Sequence, residues 1–129
     1  MQYKITAPNA IKSAIQLPSS KSISNRALIL NALSPVSFDV NNMSDCDDTN
    51  VMVDAFRTEG NLIDVKAAGT SMRFLTAYLS ITPGEWIITG TERMKERPIH
   101  ILVDALISLG ARIKYLGNVG YPPLKIKGT

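Results

Sequence analysis

An internal repeat restricts the fold of this chain more than any other feature of its sequence. Residues 53–56 recur in similar form as residues 103–106, and each copy is followed four residues later by a glycine, Gly60 or Gly110. Residues 24–28 likewise resemble residues 71–75. A period close to fifty residues is typical of a supersecondary unit that is used more than once. We therefore expect two copies of a strand-helix-strand-helix-strand unit, with equivalent helix starts facing related directions.

Hydrophobic runs, together with the capping, glycine and proline residues between them, predict alternating strands and helices. The predicted fold class is therefore α/β. The predicted strands are residues 11–17, 36–40, 63–65, 86–89, 112–116 and 124–127. The predicted helices are residues 27–33, 51–58, 72–80 and 98–109. Between the first strand and the first helix lies a polar turn, residues 19–26, that is rich in helix-capping hydroxyls.

Length and composition indicate a single soluble domain in a reducing, cytoplasmic environment. The 129 residues are 45% hydrophobic, enough for one core, and no apolar stretch approaches the roughly 20 residues that cross a bilayer. The single cysteine, Cys46, has no partner for a disulfide or a zinc site. A net charge of +3 is too small and too scattered to indicate a nucleic-acid surface. We expect no membrane span and no structural metal.

The segment from Ser19 to Arg26 is the first candidate anion site. Unpaired N–H groups at a helix start coincide there with several hydroxyls and with the cations of Lys21 and Arg26. The helix dipole adds to the attraction for an anion. The alternative is an ordinary serine-rich helix cap with solvated charges.

Residues 68–73 form a second candidate, in which Gly69 precedes two hydroxyls and Arg73 at another predicted helix start. Glycine allows a ligand to approach the backbone closely. A plain capped turn is the alternative.

A third candidate is Arg97, because the following residue, Pro98, is predicted to occupy the first helical position. The proline favours an extended Arg97 at the helix cap, where a guanidinium can make a bidentate contact with a carboxylate or phosphate. A solvated run of charges in residues 92–97 is the alternative.

Several other polar residues are expected to be structural. The acidic segment 44–49 is interpreted as helix-start partners and not as a metal loop. Carboxylates around Cys46 are expected to raise the pKa of its thiol, which argues against a nucleophile. His100 has no obvious partner and is interpreted as a surface or core residue.

Taken together, residues 17–28, 68–73 and 93–99 closely resemble, in order and spacing, the signatures of the 5-enolpyruvylshikimate-3-phosphate (EPSP) synthase family. The resemblance extends to residues 121–124 but covers only about the first third of the family's length. It implies transfer of the enolpyruvyl group of phosphoenolpyruvate to the 5-hydroxyl of shikimate 3-phosphate with release of phosphate. This reaction leads to chorismate and the aromatic amino acids and uses no metal or organic cofactor.

The resemblance also implies a set of substrate-binding residues. Lys21 would contact both substrates, and Ser22 and Arg26 would hold shikimate 3-phosphate. Phosphoenolpyruvate would be held by Gly69 and Arg97, with Thr70 as a neighbouring contact. The acid and base groups of the family lie beyond this chain, so no catalytic residue is assigned in it.

The implied architecture is a lobe of three βαβαββ units, of which this chain contains two. Residues 1–17 are expected to be an N-terminal strand or hinge region, and residues 18–129 a partial substrate-binding lobe that needs the C-terminal remainder of the enzyme as its partner. Two positions depart from the family pattern, namely Ala67 in place of the usual asparagine and Phe74 in place of a frequent proline. The segment 60–65 also looks shorter than in many relatives. These departures put the phosphoenolpyruvate pocket and the response to glyphosate-type inhibitors in question.

Two other functions remain as alternatives. The related enolpyruvyl transferase of cell-wall sugar synthesis shares the fold but has a different first motif. Residues 21–26 therefore argue against that enzyme. A noncatalytic module that binds anions or nucleic acid would fit the basic pI of about 9.1. The chain lacks basic patches interleaved with stacking aromatics, which disfavours nucleic acid.

Overall fold

The computed structural model describes residues 2–129, which form five helices and four strands. In chain order the elements are α1 (Lys21–Leu33), α2 (Asp47–Arg57), β1 (Leu62–Asp64), α3 (Gly69–Ser80), β2 (Gly84–Thr89), α4 (Glu92–Lys95), α5 (His100–Ser108), β3 (Arg112–Tyr115) and β4 (Leu124–Gly128). Within the described residues, no helix has the length and apolar composition that crossing a membrane requires.

The four strands form one sheet in the order β1-β2-β4-β3. β1 and β2 are parallel and are connected through α3, whereas β4 pairs antiparallel with both β2 and β3. The last strand of the chain therefore lies in the interior of the sheet. Parallel neighbours need a crossover connection, and α3 supplies it.

Alternation along β3 and β4 separates an apolar face from a basic one. Ile113, Leu124 and Ile126 are buried in the core, and the residues between them point to the other face. On that outer face Arg112 lies opposite Lys127. These like charges are adjacent across the strands, an arrangement that does not stabilise a sheet.

The carboxylate of Glu85 on β2 lies beside the lysines of this basic outer face. Lys125 Nζ is 2.9 Å from Glu85 Oε2. The hydrogen bond from Lys125 and its positive charge lower the pKa of Glu85. Both side chains are about half exposed, so this ion pair contributes little to stability.

Helix α3 packs against the sheet and is the most buried helix. Met72, Leu75 and Leu79 are at most 3% exposed. The buried hydroxyls of Thr76 and Ser80 donate to carbonyls one turn earlier in the same helix, at 2.7 and 2.8 Å. These hydrogen bonds compensate the cost of burying polar groups.

Helix α1 begins at Lys21, six residues before the predicted start at Ala27. Ser20 is the N-cap, and its Oγ accepts a 3.4 Å hydrogen bond from the N–H of Ile23. The predicted polar turn is thus largely the first turns of the helix. Serines that cap a helix and serines that form a loop give the same local signal, which explains the error.

Two predicted strands do not form. Residues 11–17 have no regular secondary structure, and Ile11 and Ile15 are 78% and 80% exposed. Residues 36–40 do not form a strand either, since Asn31 bonds both backbone groups of Phe38, accepting from its N–H at 3.0 Å and donating to its carbonyl at 2.9 Å. An isolated extended segment lacks the neighbouring strand that would complete its hydrogen bonds.

The predicted α/β class is confirmed, and the second repeat forms a complete βαβαββ arrangement from β1 to β4. The first repeat contributes helices α1 and α2 without strands of its own before β1. Gly110, which follows the cap of α5, has a φ of +99°, as expected at a helix end. Gly60 does not end α2, which stops at Arg57. Helix α4 was not predicted. The division into residues 1–17 and 18–129 stays a prediction.

We predict that Ile126→Ala lowers the free energy of unfolding by about 3 kcal/mol, because it leaves a cavity beside a fully buried position in the sheet. Urea unfolding followed by circular dichroism measures this change. Lys127→Ala, on the exposed face of the same strand, is the matched control and should change stability by less than about 0.5 kcal/mol. Equal effects of the two substitutions would contradict the placement of Ile126 in the core and of Lys127 on the outer face.

Candidate anion-binding site

The starts of helices α1, α2 and α3 are joined by hydrogen bonds to a single residue, Asp48. Its carboxylate accepts from Lys21 Nζ at 3.3 Å, and its backbone carbonyl accepts from Ser71 Oγ at 2.9 Å. The first and second motifs, far apart in sequence, are thereby brought to the same region. The sequence placed residues 44–49 outside the site, so the bridging role of Asp48 was missed.

Buried polar contacts fix α1 against the segment that leads into α2. The Oγ of Ser24 accepts from the N–H of Ser44 at 2.8 Å, and Thr49 Oγ1 donates to Asn25 Oδ1 at 3.0 Å. Asn25 is 0% exposed. These inward-facing side chains therefore fix the orientation of α1.

The three predicted residues of α1, Lys21, Ser22 and Arg26, are all exposed. Arg26 Nη1 donates to the carbonyl of Ser22 at 3.0 Å, and the Arg26 guanidinium carbon lies 5.9 Å from the centroid of the Phe74 ring. The side chain of Lys21 is 49% exposed despite its ion pair. These cations are therefore accessible to a ligand.

Arg97 lies directly against Gly69. A Cβ atom placed on Gly69 would be 2.5 Å from Arg97 Nη1, which no real side chain permits. The glycine thus allows the guanidinium to approach the start of α3 this closely, and a larger residue would displace it. Two residues that the sequence assigned to the same ligand are brought together.

The predicted place of Arg97 at a helix cap is wrong. Helix α5 begins at His100 with Ile99 as its N-cap, and the N–H of Arg97 bonds to the carbonyl of Met94 at the end of α4. A short helix that stops before Pro98 therefore positions this residue. Proline disfavours helical backbone at the preceding residue, but Pro98 does not begin the next helix.

Arg73 holds the Arg97 loop in place. Its Nη1 donates to the carbonyl of Gly69 at 3.2 Å, and its Nη2 donates to the carbonyl of Pro98 at 3.1 Å. One guanidinium thus connects α3 to the residue that follows Arg97. The sequence marked Arg73 as part of the second motif without giving it this role.

A pocket of about 420 Å³ opens beside Arg97 and is lined also by Ala67, Arg93 and Met94. Arg93 is a second guanidinium on this pocket that the sequence did not single out. The spacing of four residues between Arg93 and Arg97 within a helical turn was the signal available for it. The small side chain of Ala67 leaves one wall of the pocket without a polar group.

The pKa of the Cys46 thiol is shifted in the direction opposite to the one expected from the sequence. Hydrogen bonds from the hydroxyls of Ser44 and Thr49 lower the pKa of the Cys46 thiol, and they outweigh its partial burial. The prediction that neighbouring carboxylates raise this pKa is wrong, because the polar groups closest to the sulfur are hydroxyls. Cys46 Sγ is 3.4 Å from Thr49 Oγ1.

Among residues 2–129, no cluster of three or more His, Cys, Asp or Glu side chains is arranged to hold a metal ion. The polar groups that the site offers are cations, hydroxyls and helix-start N–H groups. Such a set favours ligands with phosphate or carboxylate groups.

Comparison with known proteins gives this arrangement a family. The sequence matches the profile of EPSP synthase (3-phosphoshikimate 1-carboxyvinyltransferase) over residues 5–63 and 56–129. A protein of that name from Bacteroides fragilis (strain YCH46) is 64% identical over 99% of this chain and 31% of its own length. One from Photobacterium damsela subsp. piscicida is 43% identical over 94% of this chain and 34% of its own length.

A solved structure of EPSP synthase from Acinetobacter baumannii has the same fold, with a TM-score of 0.80 at 24% identity. It covers 88% of this chain, and the chain covers 31% of it. This chain therefore spans about a third of the length of the relatives it matches.

The structure is thus an α/β fold with basic side chains at the starts of two helices. Within this fold class the chain belongs to the EPSP synthase family.

We predict that Arg73→Ala lowers the free energy of unfolding by about 1–2 kcal/mol, because it removes two charge-assisted hydrogen bonds at a partly exposed position. Hydrogen exchange of the Arg97 N–H should also accelerate, since the loop loses its tie to α3. Arg112→Ala removes an exposed guanidinium from the sheet and is the control. Unchanged exchange at Arg97 would show that Arg73 does not hold the loop.

Proposed function

We propose that this chain supplies part of the substrate-binding site of a 3-phosphoshikimate 1-carboxyvinyltransferase. The enzyme transfers the enolpyruvyl group of phosphoenolpyruvate to the 5-hydroxyl of shikimate 3-phosphate and releases phosphate. The observation that carries the proposal is the pair of basic sites, at Lys21–Arg26 and at Gly69–Arg97, whose helices are both bonded to Asp48. Two neighbouring anion sites fit a reaction between two anionic substrates.

Shikimate 3-phosphate is assigned to the α1 site. Lys21, Ser22 and Arg26 offer an ammonium, a hydroxyl and a guanidinium within the first two turns of one helix. A phosphate accepts from all three donor types and is also favoured by the helix dipole. The Lys21 side chain is 49% exposed in its ion pair, so a phosphate can compete with Asp48 for the ammonium at little cost.

Phosphoenolpyruvate is assigned to the site at the start of α3. The N-cap residue of this helix, Ala68, has no side chain that could cap it, which leaves the first-turn N–H groups for a ligand. Gly69 and Thr70 present these groups beside the Arg97 guanidinium, which can bind a carboxylate or phosphate through two parallel hydrogen bonds. Arg93 adds a second positive charge to the same pocket.

Fixed positive charge is the contribution of this chain to the chemistry. Charge that develops on phosphate and carboxylate oxygens is stabilised by donors already in place. The proton transfers are assigned to groups in the remaining two thirds of the enzyme, which would close on residues 18–129 and exclude water. The proposal requires no metal and no organic cofactor, and it places the enzyme in the cytoplasm with its phosphorylated substrates.

We predict that Lys21→Ala lowers kcat/KM about 100-fold in the full-length enzyme, meaning this chain continued by the part that its relatives contain beyond it. The loss follows from removing a charge-assisted contact that both substrates share. A phosphate-release assay with both substrates measures it, and Lys114→Ala, an exposed lysine on the sheet, is the control. Tight binding of an oligonucleotide together with no binding of shikimate 3-phosphate would instead support the nucleic-acid alternative.

We predict that Gly69→Ala raises KM for phosphoenolpyruvate about tenfold and leaves the affinity for shikimate 3-phosphate nearly unchanged. The added methyl group overlaps Arg97 Nη1, so the guanidinium must move away from the helix start. Its flexible, exposed end can do so without unfolding the protein. Steady-state kinetics with each substrate varied in turn separate the two constants. Equal loss for both substrates would contradict the assignment of Gly69 to one ligand.

A further inference from the structure

We infer that Phe74 is a positioning residue for Arg26, and that it tunes affinity for the phosphorylated shikimate-type substrate and not for phosphoenolpyruvate. This inference rests on the proposed function. It concerns a residue at which the chain departs from the pattern of the family it resembles.

The ring of Phe74 on α3 faces the guanidinium of Arg26 on α1. The guanidinium carbon lies 5.9 Å from the ring centroid, within the range of a cation–π interaction. A second contact restrains the same guanidinium, because Arg26 Nη1 donates to the backbone carbonyl of Ser22 at 3.0 Å. The guanidinium is thus restrained by an aromatic ring and by a carbonyl of its own helix.

The surroundings of this contact are apolar. Arg26 and Phe74 lie in a groove of about 540 Å³ between α1 and α3, whose walls include Ile29, Tyr78 and Leu102. An exposed arginine would otherwise sample many rotamers and lose that freedom on binding a ligand. The ring reduces this loss in advance, because the side chain already occupies a restricted set of orientations.

The location of Phe74 separates its effect from the phosphoenolpyruvate site. The pocket beside Arg97 is lined by Ala67, Arg93 and Met94 together with Arg97, and Phe74 is not among its lining residues. The sequence alone placed the consequence of Phe74 in the phosphoenolpyruvate pocket. In the structure Phe74 contacts Arg26, the arginine assigned to shikimate 3-phosphate, so its effect is expected on that substrate.

The test compares Phe74→Leu, which removes the ring but keeps an apolar side chain, with Phe74→Tyr, which keeps the ring. In the full-length enzyme, Phe74→Leu should weaken binding of shikimate 3-phosphate two- to fivefold, the range that a cation–π contact at a partly exposed site represents. Phe74→Tyr should keep the parental affinity for shikimate 3-phosphate, because the ring is retained. Both variants should keep kcat and KM for phosphoenolpyruvate within about twofold of the parent. Calorimetry and steady-state kinetics give these values.

Tyr78→Leu is the matched control, since Tyr78 lies one turn further along α3 in the same groove but packs against Phe56. It should leave binding of shikimate 3-phosphate unchanged. In an Arg26→Ala background, Phe74→Leu should cause no further loss, because its effect acts through Arg26. If Phe74→Leu does not fold, Phe74→Met provides a second variant without a ring.

Three results would overturn the inference alone while the proposed function stands. They are parental affinity in the Leu and Met variants, a loss in Phe74→Leu that persists without Arg26, and an equal loss in Tyr78→Leu. A parent enzyme that does not bind shikimate 3-phosphate would overturn the proposed function itself, and the inference with it.

Discussion

The site depends on one constraint, which is that the starts of three helices from different parts of the chain must lie side by side. Asp48 meets it by bonding to Lys21 with its carboxylate and to Ser71 with its carbonyl. Buried contacts of Ser24 and Asn25 add to the same alignment. Hydrogen bonds between buried partners keep their strength because water does not compete for them. The buried contacts of Ser24 and Asn25 therefore hold α1 in place through groups that no ligand would touch, whereas Lys21 can exchange Asp48 for a ligand.

Stability and ligand recognition are carried by different residues. The core is apolar and centres on α3 and the interior strands, whereas the cations assigned to the substrates are exposed and form few strong contacts within the protein. Exposed ion pairs contribute little to folding, so these side chains are free to exchange a protein partner for a phosphate. Arg73 is the exception, because both terminal nitrogens of its guanidinium are bonded to backbone carbonyls. Its charge holds the backbone in place.

Local signals in the sequence were sufficient for the four longer helices, apart from the early start of α1, for the strands that have neighbours and for the basic helix starts. They failed where the secondary structure of a segment depends on residues in another part of the chain. Residues 11–17 have the pattern of a strand but no strand beside them, and Phe38 bonds to a side chain, that of Asn31. The bridging role of Asp48 and the contact of Phe74 with Arg26 became visible only in three dimensions, because each depends on residues distant in sequence. The thiol of Cys46 was misjudged since the nearest polar atoms, and not the nearest charges in sequence, set its acidity.

The position of β4 has a consequence for how the protein is made. β4 follows both β2 and β3 in the chain, yet it lies between them and provides the only described pairing of β3. During synthesis, β2 and β3 are therefore left with unpaired edges until Leu124–Gly128 emerges, and such edges can pair with other nascent chains. Arg112 and Lys114, on the outer face of β3, repel identical segments of neighbouring chains during that interval. The row of like charges that weakens the finished sheet thus protects its unfinished form from aggregation.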